Sequence, residues 1–279
     1  MFDVDAYLQR LGWTGQRPGP DLDTLRTLHK RHLMTLPYNV AGQGFADGVH
    51  LVDIDEDETF RTGVMEGVGG TCFQLNRLFF RLLTELGYEV SLLAASTAEG
   101  RENFGTEIEH MFIRAVLDGE EWLVDVGYPG PSYLEPLRVG DEVQTQYGCQ
   151  YRLVRGSDAD GEGTGGGEAD APIALQRRGR VTRWGTVYTF RLRARQWHDW
   201  KELEDRARAH HATASAAADD SQGILCGRSF DNGQAVLKGH RYLVVRDGRE
   251  HVRTVVDDQE HRRLVAAIRT GDLDPADLA

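Results

Sequence analysis

Apolar positions recur at helical spacing from the start of the chain to about residue 90. Tyr7, Leu8 and Leu11 form a short stripe that Gly12 stops, and Leu22, Leu25, Leu28, Leu33 and Leu36 form a longer one that ends before Pro37. His29 and His32 fall on this second stretch, where a surface position is expected. A third helix is predicted from Cys72, with Leu75, Phe79, Leu82 and Leu86 on one stripe. Gln74, Arg77, Arg81 and Glu85 lie largely opposite, and Gly87 supplies the stop.

From about residue 88 the period shortens to that of strands. "YEVSLLAAS", "HMFIRAVL", "EWLVDVGY", "QYRLV", "RWGTVYTFRLRA" and "AVLKGHRYLVVR" are short, rich in β-branched and aromatic residues, and separated by turn residues. Antiparallel strands of this kind close naturally into a curved sheet or barrel. Residues 156–172, "GSDADGEGTGGGEADAP", hold too little apolar surface to pack and read as a mobile surface loop or insertion. After residue 196, "QWHDWKELEDRARAHHATA" returns to helix. A strand pair around Gly239 and Gly248 then leads to a closing helix, "DQEHRRLVAAIRTG". The expected fold class is α+β, with a helical domain over 1–90, a β-barrel over 91–195 and a mixed α/β domain over 196–279.

Composition narrows the function. With 40% hydrophobic and 27% charged residues the chain is that of a folded globular protein. A net charge of −12 argues against a general nucleic-acid binder, which needs clustered Lys and Arg. The arginine-dense segment from Arg177 to Arg195 is the nearest thing to a basic patch, and reads as a solvated strand face. The opening "MFDVDAYLQRLGW" has neither a signal peptide nor a membrane span, so a cytoplasmic protein is expected. Cys72, Cys149 and Cys226 are odd in number and far apart, so neither a disulfide framework nor a CxxC metal pair can be drawn. The histidines lack ligand spacing, and no metal is expected.

Cys72 follows Gly69 and Gly70 and opens a predicted helix, where unpaired amides and the helix dipole favour a thiolate and could serve as an oxyanion hole. The glycines allow a sharp turn and close approach of an acyl group. On this evidence alone Cys72 is either a nucleophile or a small buried core residue. A base is offered by "HMFIRAVLDGEEWLVDV". Asp118-Gly119 is a two-residue hairpin signal; with Leu117 opposite Glu120, Phe112 faces Asp125 and His110 becomes a diagonal neighbour of that carboxylate. A three-residue turn would instead place the two on opposite faces. His110 alone could be an inert strand-end histidine, but Asp125, between Val124 and Val126, needs a partner if buried. Together the residues suit a nucleophilic Cys72, a proton-carrying His110 and an orienting Asp125 acting on a thioester or amide carbonyl.

"GGTCFQLNRLFFRLLTELGYEV", the His110 strand and "WLVDVGYPGPSYLEPL" resemble the arylamine N-acetyltransferase family, as do "YLQRLGW" and "DLDTLRTLHKRHLMTLPYN". The resemblance is good over roughly residues 1–140 and loose beyond. It implies a helical bundle, a β-barrel and an α/β lid, with a Cys72-His110-Asp125 triad between the first two. It also implies ping-pong chemistry, in which acetyl-CoA acylates the cysteine and an arylamine or hydrazine takes the acyl group, with no metal or bound organic cofactor. Two departures stand out: Val68 and Gln74 replace the Arg and Glu of the family's "RGGxCxELN", and Asn39 in "PYNV" replaces its usual acidic residue. Loss of both members of an Arg–Glu pair would leave a neutral arrangement behind the nucleophile. Tyr38, Thr71 and Tyr128 would line the substrate mouth by family analogy, with Gly69, Gly70, Phe73 and Gly127 also contributing to substrate binding.

Family relatives called amide synthases use the same triad to join a long acyl chain, held on CoA or a carrier protein, to an amine. An acyl-CoA or carrier-bound thioester and a small-molecule amine are therefore the expected partners, with an acyl carrier protein as a further possible one. Simple acetyl transfer is the alternative, followed by a hydrolase or transglutaminase-like enzyme and by a catalytically dead binding module.

Overall fold

The computed structural model describes residues 1–40, 50–97, 105–156, 171–213 and 224–278; most of the Gly-rich segment, residues 157–170, lies outside them. Helix α1 (Val4–Arg10) starts where the Asp3 carboxylate accepts from the Ala6 N–H at 3.0 Å, and α2 (Leu22–Thr35) where Asp21 accepts from the Thr24 N–H at 2.8 Å. Strand β1 (Tyr38–Asn39) follows. A short α3 (Glu56–Thr59), continued by a π-helical turn over Phe60–Met65, carries too few apolar positions to show in the sequence pattern. The long α4 (Cys72–Glu85) completes the helical layer.

The apolar stripes predicted for these helices meet in one core, where Tyr7, Leu25, Leu28, Phe79 and Leu82 are fully or almost fully buried. His29 and His32 correct the surface expectation: both are 0% exposed. They share the inner face of α2 with Leu25, Leu28 and Leu36, and a search for apolar residues passes over them. His32 Nε2 hydrogen-bonds the Tyr7 hydroxyl at 2.8 Å. Gln74, expected on the polar side of α4, is also buried, and so is Asn76.

Eight antiparallel strands form a nearly closed barrel in the order β5-β4-β3-β2-β9-β8-β7-β6. They are β2 (Glu89–Thr97), β3 (His110–Leu117), β4 (Glu120–Val124), β5 (Leu137–Arg138), β6 (Gln144–Gln146), β7 (Cys149–Arg155), β8 (Ile173–Arg178) and β9 (Gly185–Phe190). The remaining gap lies between β5 and β6, and amide side chains fill it. The Gln144 side chain accepts from Arg138 N–H and donates to Arg138 C=O, and Gln146 accepts from the N–H groups of Leu134 and Glu135 and donates to Glu135 C=O. Edge backbone groups that would otherwise invite pairing are thereby satisfied.

The β3–β4 hairpin has the predicted register, with Leu117 opposite Glu120 through to Ile113 opposite Val124. Its turn residues Asp118 and Gly119 both have positive φ, 52° and 79°, as a tight two-residue loop requires. The third region contains a 3₁₀ turn (Trp197–Trp200) running into α5 (Lys201–Thr213), then β10 (Leu225–Phe230), β11 (Gly233–Lys238), β12 (Arg241–Arg246), β13 (Arg249–Thr254) and α6 (Asp258–Thr270). Its five-stranded sheet takes β1 as an edge, pairing Tyr38 with Gly227 and Asn39 with Cys226. The segment after α2 thus joins the helical layer to the last sheet. No helix among the described residues is long and apolar enough to cross a membrane.

Two buried histidines make the fold acid-sensitive. Burial, with a smaller push from the neighbouring His29 charge, holds His32 down to about 3, and burial lowers His29 as well. Both rings are neutral in the fold but charge in the unfolded chain below its ordinary range. Their stabilisation is therefore present above about pH 6.5 and is lost on acidification, at about 1.4 kcal/mol per pH unit for each proton taken up. Urea midpoints should fall between pH 7 and pH 4.5, and His32→Gln should flatten that dependence; an unaltered slope would contradict this reading.

Candidate active site

Asp125 organises the site. It lies just past β4, is 1% exposed, and accepts hydrogen bonds from His110 Nε2 at 2.7 Å, Asn76 Nδ2 at 3.0 Å and Gly127 N–H at 3.0 Å. Burial alone would raise its pKa. The His110 charge and these donors outweigh that and keep the carboxyl below its ordinary range. His110, at the first position of β3 and 2% exposed, shows the opposite balance. Burial disfavours its cation, yet the Asp125 charge and hydrogen bond, with a further hydrogen bond to the Cys72 thiol, push it up to about 10. With Nε2 committed to Asp125, the Nδ1 side of the ring is the one left for the thiol.

The β3–β4 hairpin thus places His110 and Asp125 together, and α4 brings Cys72 to the same point. Cys72 is the first residue of α4 and 7% exposed. The helix start is closed by Gln74, whose Oε1 accepts from the Thr71 N–H at 3.0 Å and from the Thr71 hydroxyl. The residue standing in place of the family's Glu therefore works as a neutral cap. Just upstream, Asn39 Nδ2 donates to the Val68 carbonyl at 3.1 Å. Gly69 has φ +74°, and a Cβ there would lie 1.9 Å from the Pro37 carbonyl oxygen. Gly70 in turn accepts from the Asn39 N–H at 3.0 Å. The double glycine clamps the nucleophile's turn onto β1 as well as leaving it free of side chains.

The other residues proposed from the sequence surround this centre. Gly127 lies against the base of Cys72: a Cβ there would come within 2.7 Å of Cys72 Cα and 2.8 Å of Asn76 Nδ2. Tyr128 stands edge-on to His110 with centroids 5.5 Å apart, and its hydroxyl donates to the Val187 carbonyl at 3.0 Å. Phe112 stacks on His110 at 6.0 Å and Tyr188 packs at 5.6 Å, so the imidazole sits in an aromatic box. Phe73 packs edge-on to the fully buried Trp200, in a cluster with Cys72, Leu92, Ala94 and Met111. Tyr38 borders a small cavity with Val126 and Tyr128.

Two contributors escape the sequence reading. Asn76 follows Cys72 by one helical turn, and its side chain joins three separate elements. Nδ2 donates to Met111 C=O at 2.7 Å as well as to Asp125, while Oδ1 accepts from Val126 N–H at 2.9 Å. Its place in "CFQLN", on the Cys72 face of α4, was the available signal. The other is His29, read as a surface residue. Its Nε2 accepts from the Asp125 N–H at 3.1 Å, so Nδ1 carries the proton and donates to Leu134 C=O at 2.9 Å. Tyr133 stacks on the ring at 5.7 Å and 11°.

Neither remaining cysteine has this setting. Cys226 is 1% exposed and burial pushes its thiol up to about 12, while Cys149 is buried in the barrel beside the Arg177 guanidinium at 3.7 Å. Among the described residues no three His, Cys, Asp or Glu side chains are grouped to hold a metal. The arrangement is suited to thiol acyl chemistry: a sulfur at a helix start, an imidazole held toward its charged form beside it and a buried carboxylate behind.

The N-acetyltransferase family model matches residues 21–268. Proansamycin X synthase of Amycolatopsis mediterranei (strain S699) is 55% identical over 272 residues, which is 98% of each chain. Among solved structures, the M. smegmatis arylamine N-acetyltransferase aligns with a TM-score of 0.74 at 25% identity, covering 100% of this chain and 95% of that one. The Mycobacterium marinum arylamine N-acetyltransferase in complex with CoA aligns at 0.73 and 23%, covering 99% and 97%.

Asn76→Ala would leave the Met111 carbonyl and the Val126 N–H buried without partners, so a loss of about 2–4 kcal/mol is expected in urea unfolding. A midpoint equal to that of the parent would show that the three bonds are not what joins α4 to the barrel. Gly127→Ala should cost about 1–3 kcal/mol and change the rate of Cys72 alkylation, because the new methyl meets the Cys72 backbone and an Asn76 amide already held by three hydrogen bonds.

Proposed function

Because the chain belongs to the arylamine N-acetyltransferase family and is an acyltransferase, we propose that it forms an amide by moving an acyl group from a thioester to an amine through acyl-Cys72. The observation that carries this reading is the buried His110–Asp125 pair, 2.7 Å apart, whose imidazole is held toward its charged form by Asp125 first and by the Cys72 thiol at the start of α4 as well. Cys72 gives its proton to the imidazole and its sulfur attacks the donor carbonyl. The donor C–S bond then breaks, and the leaving thiolate takes the proton from His110. In the second half-reaction the amine nitrogen attacks acyl-Cys72, loses a proton to His110, and the cysteine leaves as thiolate. Asp125 fixes which ring nitrogen faces the sulfur and stabilises the imidazolium. Backbone N–H groups at the α4 start would receive the oxyanion.

The acyl group is proposed to be longer than acetyl. Its support is the 55% identity, over nearly the whole chain, to a protein named for synthesis of proansamycin X. Tyr38, Thr71, Phe73 and Tyr128 would border the acyl and amine paths around the two glycines and Gly127. The donor is a thioester of CoA or of an acyl carrier protein; a structural neighbour bears CoA, which supports the shared pantetheine chemistry. We further propose three domains, 1–90, 91–195 and 196–279, in which the nucleophile comes from the first, His110 and Asp125 from the second, and the third is a lid.

Intact-mass analysis should show an adduct on Cys72 after incubation with thioesters of graded chain length, with long chains favoured over acetyl and none on Cys72→Ala. A preference for acetyl would overturn the chain-length assignment, and no adduct from any thioester the covalent route. Asp125→Asn should slow adduct formation on the order of a hundredfold or more while the protein stays folded. Release of free acid alone in the presence of an arylamine would mark a hydrolase instead.

A further inference from the structure

In a chain of net charge −12, one corner among the described residues gathers several arginines without carboxylate partners. In the β12–β13 hairpin, Arg246 stands directly opposite Arg249 in the strand register. Like charges placed so oppose pairing. Both are exposed, and neither side chain has an ion-pair or hydrogen-bond partner among the described residues. Together with Arg180 and His251 they line an open cleft of about 420 Å³. The carboxylate in this cleft, Asp247, accepts from Asn232 Nδ2 at 2.9 Å. Glu250 belongs to the other face of the strand, where it pairs with Arg177.

The corner is held rigidly. Arg180 N–H donates to Gly248 C=O at 2.7 Å and its Nε donates to Asp247 C=O at 2.6 Å. Gly148 and Gly248 are in such close contact that a Cβ on Gly248 would lie 2.0 Å from the Gly148 carbonyl oxygen. The β8–β9 connection that carries Arg180 into this cleft also carries Arg183, exposed and likewise without a partner, into a second cleft of about 280 Å³. That second cleft is bordered by Tyr128, whose ring stands 5.5 Å from His110.

We propose that the arginine corner formed by Arg183, Arg246 and Arg249 is the docking surface for an acidic carrier protein, whose pantetheine-linked acyl arm enters the cleft beside Tyr128. The inference rests on the acyl-transfer reading above and adds where on the surface a carrier-bound donor is met. The charges are exposed and distributed over two elements, not closed around one point, which suits the spread negative surface of a folded partner better than a single phosphate.

The test offers one acyl group in three forms: on a negatively charged, phosphopantetheinylated acyl carrier protein, as its CoA thioester and as its N-acetylcysteamine thioester. Arg246→Glu with Arg249→Glu should raise KM for the carrier-bound donor tenfold or more, with little change in kcat and none for the two small donors. Arg246→Gln with Arg249→Gln should give a smaller rise, and thermal unfolding should match the parent for both. For the parent, raising salt should weaken the carrier-bound donor alone. An unchanged carrier KM overturns the proposal. An equal rise for the CoA thioester also overturns it, since a phosphate subsite would then account for the charges. A parent protein that accepts the N-acetylcysteamine donor but never the carrier removes the docking surface and leaves acyl transfer standing, whereas acylation from no donor removes both.

Discussion

A carboxylate buried to 1% exposure is the constraint on which the rest of this molecule depends. Left without partners, Asp125 would cost several kcal/mol or would take up a proton. Here three donors meet it, from β3, α4 and the chain just beyond β4. Satisfying that one group therefore requires the helical layer and the barrel to be docked in a single relation. The same docking sets Cys72 against His110, so a condition for burying charge and the geometry of the candidate site are one requirement.

The supporting structure is largely built from neutral amides and imidazoles. Asn76 joins the Met111 carbonyl, the Asp125 carboxylate and the Val126 N–H; His29 holds the Asp125 N–H from the opposite side; Gln74 and Asn39 close the turn before Cys72. With Val68 and Gln74 where a charged pair is usual in the family, the backbone around the nucleophile is held without adding charge near the thiol. The environment of His110 is then governed by Asp125 and Cys72, inside aromatic walls that exclude water. Low local polarity strengthens each of these interactions and raises the cost of breaking any of them.

The barrel uses the same device on a larger scale. Gln144 and Gln146 substitute side-chain amides for the missing strand contacts between β5 and β6. The barrel wall near the site is kept in register, and Tyr133, Tyr151 and Tyr188 fill the interior behind His29 and His110. Charge is left unpaired at the outer corner around Arg246 and Arg249, which no buried group constrains.

Much of this was legible from local chemistry. Helical spacing located α1, α2 and α4, and Asp118-Gly119 specified a hairpin register from which the His110–Asp125 contact followed, because a two-residue turn leaves one parity for every side chain on the paired strands. The family resemblance then joined Cys72 to that pair. What the sequence could not decide was which polar residues turn inward. His29 and His32 look like surface histidines until Tyr7, Leu134 and the Asp125 backbone, distant in sequence, supply their partners. Tyr38–Asn39 has no strand pattern of its own and becomes an edge only when β10 arrives beside it. Periodicity reports the surface each element can bury alone; burial of a polar group depends on a partner from elsewhere, and only the tertiary structure brings the two together.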